Sequence, residues 1–332
     1  MRLCRTIQCR MPRRFLIALL AASLFGQCMQ QESDSSTDLI ALAFILANSG
    51  PECNLNASTF DAPVFGLSLA DPNIPETGVP GGETVQGYVR LNGQWTLLSL
   101  TKAGNSYFNG DMVFDESEVS AIPYGGGDSY YSLAFNNSSY RWPMSGGYIR
   151  VPYVIDGAVP VATRTEIQDA MAHWETYSIV RFAPRTSEAG YIFFEDPGSS
   201  TCSANVGYSD SARTIRLGEA CGTGNAVHEI GHTLGLMHTQ QRNDRDNHII
   251  YYPDRTTAPS QYEKLGSAGL DIGRYDITSI MHYGSYFFPS GSDPVITTRT
   301  GALIEANRSA LTTCDTYVVE QVHTNPAYNN KL

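Results

Sequence analysis

Positive charge is scarce in this chain. Only 22 of its 332 residues are Lys or Arg, against 33 Asp or Glu, for a formal net charge of −11 at pH 7. Five of those cations, Arg2, Arg5, Arg10, Arg13 and Arg14, fall at the extreme N-terminus. No Lys/Arg run follows, so the chain repels phosphate backbones and nucleic acid is not an expected partner. Long apolar runs are missing too. Phe15–Phe25 has eleven residues and Leu39–Ala47 has nine. Both fall short of the roughly 20 residues needed to span a bilayer. Charged residues make up only 17% and hydrophobic residues 42%, with Gly, Ser, Thr, Asn and Tyr plentiful. That balance excludes a disordered chain and fits an ordered protein with an uncharged polar surface, as exported proteins often have.

The basic N-terminus and the short apolar core after it have the pattern of an export signal over residues 1–28. The segment ends in GQC, with Cys28 where a bacterial lipoprotein carries its lipidated cysteine, although Gln27 is unusual in that place. Secretion and lipid anchoring at Cys28 both stay open, and membrane contact is expected only through such an anchor. A leader of this kind favours a bacterial source. Of the seven cysteines, Cys4, Cys9 and Cys28 belong to the leader, and Cys53, Cys202, Cys221 and Cys314 remain. An even number in an exported chain favours two disulfides. Three pairings are available. Cys202 with Cys221 closes the shortest loop and is preferred, leaving Cys53 for Cys314.

Residues 54–107 carry short β-type runs, TVQGYVRLNG and WTLLSL, set off by Pro and Gly. The Gly-rich YGGGDSYY at Tyr124–Tyr131 reads as a joint. A new pattern begins near Tyr140. YIRVPYVI (Tyr148–Ile155) reads as a strand. Thr163–Ser178 reads as a helix, with Ile167, Ala170, Met171 and Trp174 on one face. IVRFAP and AGYIFFED read as two further strands. A loop-rich tail follows, and the whole suggests an α+β domain of about 190 residues.

The chemistry concentrates in HEIGHTLGLMH, His228–His238. On a helix, His228 and His232 lie one turn apart on the same face, where both imidazoles can share one ion. Glu229 projects near the same opening and is suited to take a proton from water rather than to bind metal. Gly235 tolerates the left-handed conformation that ends a helix, and the reversed chain returns His238 to the ion. A bare HExxH arises often by chance; the extended HExxHxxGxxH in an exported chain is much rarer. The expected cofactor is one catalytic Zn2+, with water activated for peptide hydrolysis.

These residues resemble the metzincin zinc endopeptidases, and their surroundings resemble the astacin family. Arg242, Asp244, Arg245 and Asp246 match the family's Arg-x-Asp-Arg-Asp run, and SIMHY, Ser279–Tyr283, is similar to its Met-turn. YRWPMSGGYIRVPYVI resembles the start of its catalytic domain and VRFAPRTSEAGYIFF its sheet region. The resemblance covers about residues 140 to 323. It implies a metzincin fold: a twisted mixed sheet with two long helices in an N-terminal lobe, and a loop-rich C-terminal lobe. It implies that Met281 forms the floor beneath the zinc and that Tyr283 is a switchable zinc ligand that supports the oxyanion. Phe108, Asn109, Gly110 and Asp111 resemble the FxGD of astacin propeptides, whose aspartate binds zinc and displaces water. The implied organisation is a leader over 1–28, a pro-segment over 29–137 and a peptidase domain over 138–332. An activating protease would cut within about residues 112 to 140. Substrates would be proteins or peptides lying along an edge strand, expected in AGYIFFED.

Three departures from the family stand out. Thr239 replaces the Glu that pairs with the new N-terminus after activation, and threonine cannot form that ion pair. The early disulfide position near YSIVRF has no cysteine, and a Cys53–Cys314 bond would tether the pro-segment after cleavage. The loop SYFFPSGSD after the Met-turn carries no Lys or Arg for an acidic substrate residue. An alternative function is a surface binding protein, adhesin-like, on a metzincin scaffold; the intact Glu229 speaks against it.

Overall fold

The structure, a computed structural model, describes residues 82–91, 94–121, 141–266 and 269–325. The leader with Cys28, the Leu39–Ala47 run, Cys53 and the Gly-rich joint lie outside the described residues. Among those described, no helix is long and apolar enough to cross a membrane.

The first strands form a meander. β1 (Glu83–Leu91) pairs antiparallel with β2 (Gln94–Ala103), which pairs with β3 (Ser106–Asn109), which turns into β4 (Met112–Asp115). A short β5 (Val119–Ser120) closes back on β1. Alternation puts one face of these strands in a small core of Val89, Leu98, Leu100, Met112 and Phe114, which also takes in Val206 and Leu265.

The rest of the sheet comes from residues after 141. It comprises β6 (Met144–Ser145), β7 (Tyr148–Ile155), β8 (Val180–Pro184), β9 (Tyr191–Glu195), β10 (Cys202–Asn205) and β11 (Ala212–Leu217). The order across the sheet is β5-β1-β2-β3-β4-β10-β11-β9-β7-β6, with β8 also on β7. The two parts are joined by one pairing, β4 parallel to β10, with Ala204 opposite Met112 and Asn205 opposite Val113. This corrects the expectation that AGYIFFED is the edge strand. β9 lies between β11 and β7, parallel to both, so its backbone is already paired on each side. Within the part after residue 141, β10 is the strand whose outer side is taken only by β4.

Two helices cover the sheet. α1 (Val161–Tyr177) buries Ile167, Ala170, Met171 and Trp174, the face read from the sequence. It stops at Ser178, whose hydroxyl donates to the Trp174 carbonyl at 2.5 Å. α2 (Thr223–Thr233) is buried along its whole length. Trp174 lies fully buried between them and donates its indole N–H to Val227 of α2 at 3.0 Å. A disulfide joins Cys202 on β10 to Cys221 just before α2. Cys314 is disulfide-bonded as well. Beyond α2 the chain is mostly turns and 3-10 segments, with β12 (Ile249–Tyr251) paired to β13 (Ile296–Thr298) and a last helix α3 (Thr313–Thr324). The result is the α+β arrangement expected, with a loop-rich second half.

Trp174→Ala opens a cavity against α2 and removes the bond to Val227. We expect a loss of about 3–5 kcal/mol, read as a lower urea midpoint by circular dichroism with the denaturant slope unchanged.

Candidate metal centre

α2 carries His228, Glu229 and His232, all fully buried. The helix ends where Gly235 takes a φ of +95°. The Leu236 amide then bonds back to the Gly231 carbonyl at 2.9 Å and the Gly235 amide to His232 at 2.7 Å, the reversal that a left-handed glycine permits. His238 follows, 1% exposed, and faces the two helical histidines. Ring centroids are 4.8 Å apart for His228 and His232, and 4.7 Å for His232 and His238.

Asp111 completes the cluster from the turn between β3 and β4. Its carboxylate lies 3.1 Å from His238 Nε2, 3.3 Å from His228 Nε2 and 3.7 Å from His232 Nε2. The four ligand atoms fall within 4.8 Å of one another, all buried. Gly110 before it has a φ of +65°, and a Cβ there would collide with the Gln261 side-chain oxygen.

The tautomers of two histidines are set by their second nitrogen. His228 Nδ1 lies 2.7 Å from the Ile280 carbonyl and His232 Nδ1 lies 2.8 Å from the Leu236 carbonyl. A carbonyl only accepts, so each Nδ1 carries the proton and each Nε2 turns a lone pair to the centre. Lone pairs of imidazole and carboxylate at 3.3 and 3.7 Å repel one another unless a cation lies among them. Ligands held ~2.0–2.1 Å from a tetrahedral ion stand about 3.3 Å apart, so these spacings fit zinc. Burial holds His238 at a pKa of about 4, neutral and fit to ligate.

Beneath the cluster runs Ser279–Tyr283. The Ile280 carbonyl that fixes His228 also accepts from Arg308 at 2.8 Å. The Met281 carbonyl accepts the Thr239 amide at 3.1 Å. Met281 is 2% exposed and fills the space beside Gly231, where a Cβ would stand 2.8 Å from its sulfur. Tyr283 is fully buried, its ring 4.4 Å from that of His238. Its hydroxyl donates to Gln261 Oε1 at 3.3 Å and its amide to Gln240 Oε1 at 3.2 Å. Neither glutamine was singled out in the sequence, and nothing in their local pattern marks them. Thr239 borders a cavity of about 90 Å³ shared with Asp276, Ser279, Cys314 and Asp315.

Fold and site together define a metal-binding protein of the HExxHxxGxxH class, with an α+β catalytic-type domain and a carboxylate contributed by the preceding strands. Comparison with known proteins makes this specific. The family model for the Astacin peptidase family matches residues 134–324, and the chain belongs to the astacin family, which is zinc-dependent. The chain is 35% identical over 266 residues to blastula protease 10 of Paracentrotus lividus, covering 74% of this chain and 42% of that protein. It is 31% identical over 232 residues to protein SpAN of Strongylocentrotus purpuratus, covering 65% of this chain and 37% of that one. The matched region is thus less than half the length of either relative. High choriolytic enzyme 1, a hatching-enzyme zinc-protease of the medaka Oryzias latipes, shares the fold. Its TM-score is 0.50 at 24% identity, over 58% of this chain and 96% of that one.

Asp315 at the start of α3 anchors the Met281 turn. It accepts from Ser279 Oγ at 2.5 Å, Ile280 N at 3.1 Å and Thr312 N at 2.8 Å. Burial above all, and then Asp276, push its carboxyl up to about 6 despite those bonds. A folded-state pKa raised above the ordinary value of 3.8 means that its contribution to stability is full below that value and is lost as pH rises through about 6. Asp315→Asn cannot ionise, so its thermal midpoint should lack the decline that wild type shows over that window.

Proposed function

We propose that the protein is an exported, zinc-dependent endopeptidase made as a zymogen. The observation that carries this reading is the convergence of three histidine nitrogens and the Asp111 carboxylate on one buried centre. His228, His232 and His238 would hold the zinc, with Asp111 as a further ligand before activation. When bound, zinc supplies Lewis acidity and brings the pKa of water to about 7. Asp111 in the open position keeps that water out. With Asp111 gone, Glu229 takes the proton from the attacking water and hands it to the leaving amine. Tyr283 leaves Gln261 and supports the tetrahedral oxyanion. Met281 keeps its place as the apolar floor. An extended substrate takes the side of β10 that β4 now fills, by strand addition.

In this reading residues 1–28 are the leader, 29–137 the pro-segment and 138–332 the peptidase domain. An activating protease cuts within about residues 112 to 140, the substrates are proteins or peptides, and Cys28 is either a lipid anchor or lost on secretion. Support comes from family membership over residues 134–324 and from the placement of Asp111.

The test is cleavage of casein and a peptide library by protein cut between Asp111 and Tyr140, beside uncut protein. The cut form should cleave and the uncut form should not. Glu229→Ala should keep zinc and lose turnover by about 10²–10⁴-fold, whereas His232→Ala should lose zinc as well. Asp111→Ala should raise the activity of the uncut chain. Wild-type rates from Glu229→Ala would overturn the mechanism. Full zinc occupancy without cleavage in any form would favour a binding protein on this scaffold.

A further inference from the structure

Arg213 lies on β11 and is only 1% exposed. Its guanidinium donates to the Val206 carbonyl at 2.6 Å, just past the end of β10. On its other side it meets Glu118 Oε1 at 3.2 Å and Asp115 Oδ2 at 3.5 Å. Both carboxylates come from the strands over residues 83–120, which leave the cleft when the activating cut falls beyond residue 120. Glu118 is itself held in place by accepting the Asp115 amide at 2.8 Å. Asn205 on β10 marks the same spot, donating to the Val113 carbonyl at 3.2 Å and facing Asp115 at 3.4 Å.

Arginine stays charged at any working pH. Departure of Asp115 and Glu118 therefore leaves a forked cation beside the side of β10 that a substrate would occupy. Its distance from the chemistry follows from the strand. The Asp111 carbonyl accepts the Ala204 amide at 2.9 Å. Asp115 lies four residues further on, about 13 Å along an extended chain. The loop Ser285–Asp293 after the Met281 turn has no Lys or Arg to bind an acidic side chain closer in.

We infer that Arg213 is a specificity-determining residue that binds an Asp or Glu side chain of the substrate about four residues from the scissile bond, in the place that Asp115 and Glu118 hold in the uncut chain. This inference rests on the proposed protease reading. Arg213 acts on binding and not on the reacting atoms, so its effect falls on substrate selection.

The experiment uses cut protein, treated with mild reductant so that no disulfide retains the N-terminal strands, and a set of peptides in which one Glu is moved along an otherwise neutral sequence. Wild type should prefer Glu at one position about four residues from the cut, by about tenfold in kcat/KM over Gln there. Arg213→Gln should lose that preference while cleaving the neutral peptide as wild type does, Arg213→Lys should keep part of it, and Arg213→Glu should prefer Lys at the same position. Inhibition by a synthetic peptide of residues 107–120 should weaken by about tenfold with Glu118→Gln. A positional profile unchanged between wild type and Arg213→Gln, or equal inhibition by the two peptides, would overturn the inference and leave the protease reading standing. No cleavage of any peptide by the cut protein would overturn both.

Discussion

The hydrogen bond from His228 Nδ1 to the Ile280 carbonyl ties the two halves of the domain together at the metal centre. His228 belongs to the helix under the sheet and Ile280 to the turn-rich second half, 52 residues later. The bond sets the tautomer of one ligand, and through it the direction of a lone pair. The same carbonyl accepts from Arg308, and the same turn is held by Asp315 at the start of α3. A buried centre of three imidazoles and a carboxylate has no solvent to forgive a misdirected nitrogen, so the surrounding structure is organised around that alignment. Gly231 lets Met281 close on the helix from below, and Gly235 turns the chain so that His238 comes in from the side.

A sheet edge presents unpaired amides and carbonyls and must be covered or used. Here the outer side of β10 is covered by β4, which begins one residue after Asp111. One short strand thus carries two contacts at once: backbone pairing along the cleft and a carboxylate at the histidines. Arg213 adds a third by gripping Asp115 at the strand's end and Glu118 just beyond it. In the proposed latent form these act together, since moving the strand breaks the pairing, the carboxylate contact and the buried ion pair in one step.

Much of this was open to a reader of the sequence, for identifiable reasons. Helix α1 announced its buried face through Ile167, Ala170, Met171 and Trp174, because a 3.6-residue period is a local property. Gly235 announced the helix end by the conformation it alone takes without strain. The edge strand was misread. β9 looks like a strand, whereas Cys202–Asn205, with its Ser and Asn, carries no strand signal of its own; whether a strand is central or peripheral depends on its neighbours in space, which no local period records. Gln240, Gln261 and Gly231 went unnoticed because their importance lies in contacts with Tyr283 and Met281, far away in the chain.

Sequence alone determined the donor set. HExxHxxGxxH specifies residue types and spacings that a helix and a glycine turn convert into one ligand face by covalent geometry. It also determined the class of chemistry, since three imidazoles and a neighbouring carboxylate suit one divalent ion. The FxGD resemblance pointed to Asp111 as a further ligand, and the structure brings it to the same centre from over a hundred residues upstream. Only the tertiary structure decided which backbone carbonyls orient those imidazoles and that Arg213 meets Asp115 and Glu118. Those are long-range encounters, fixed by the packing of strands and helices against one another.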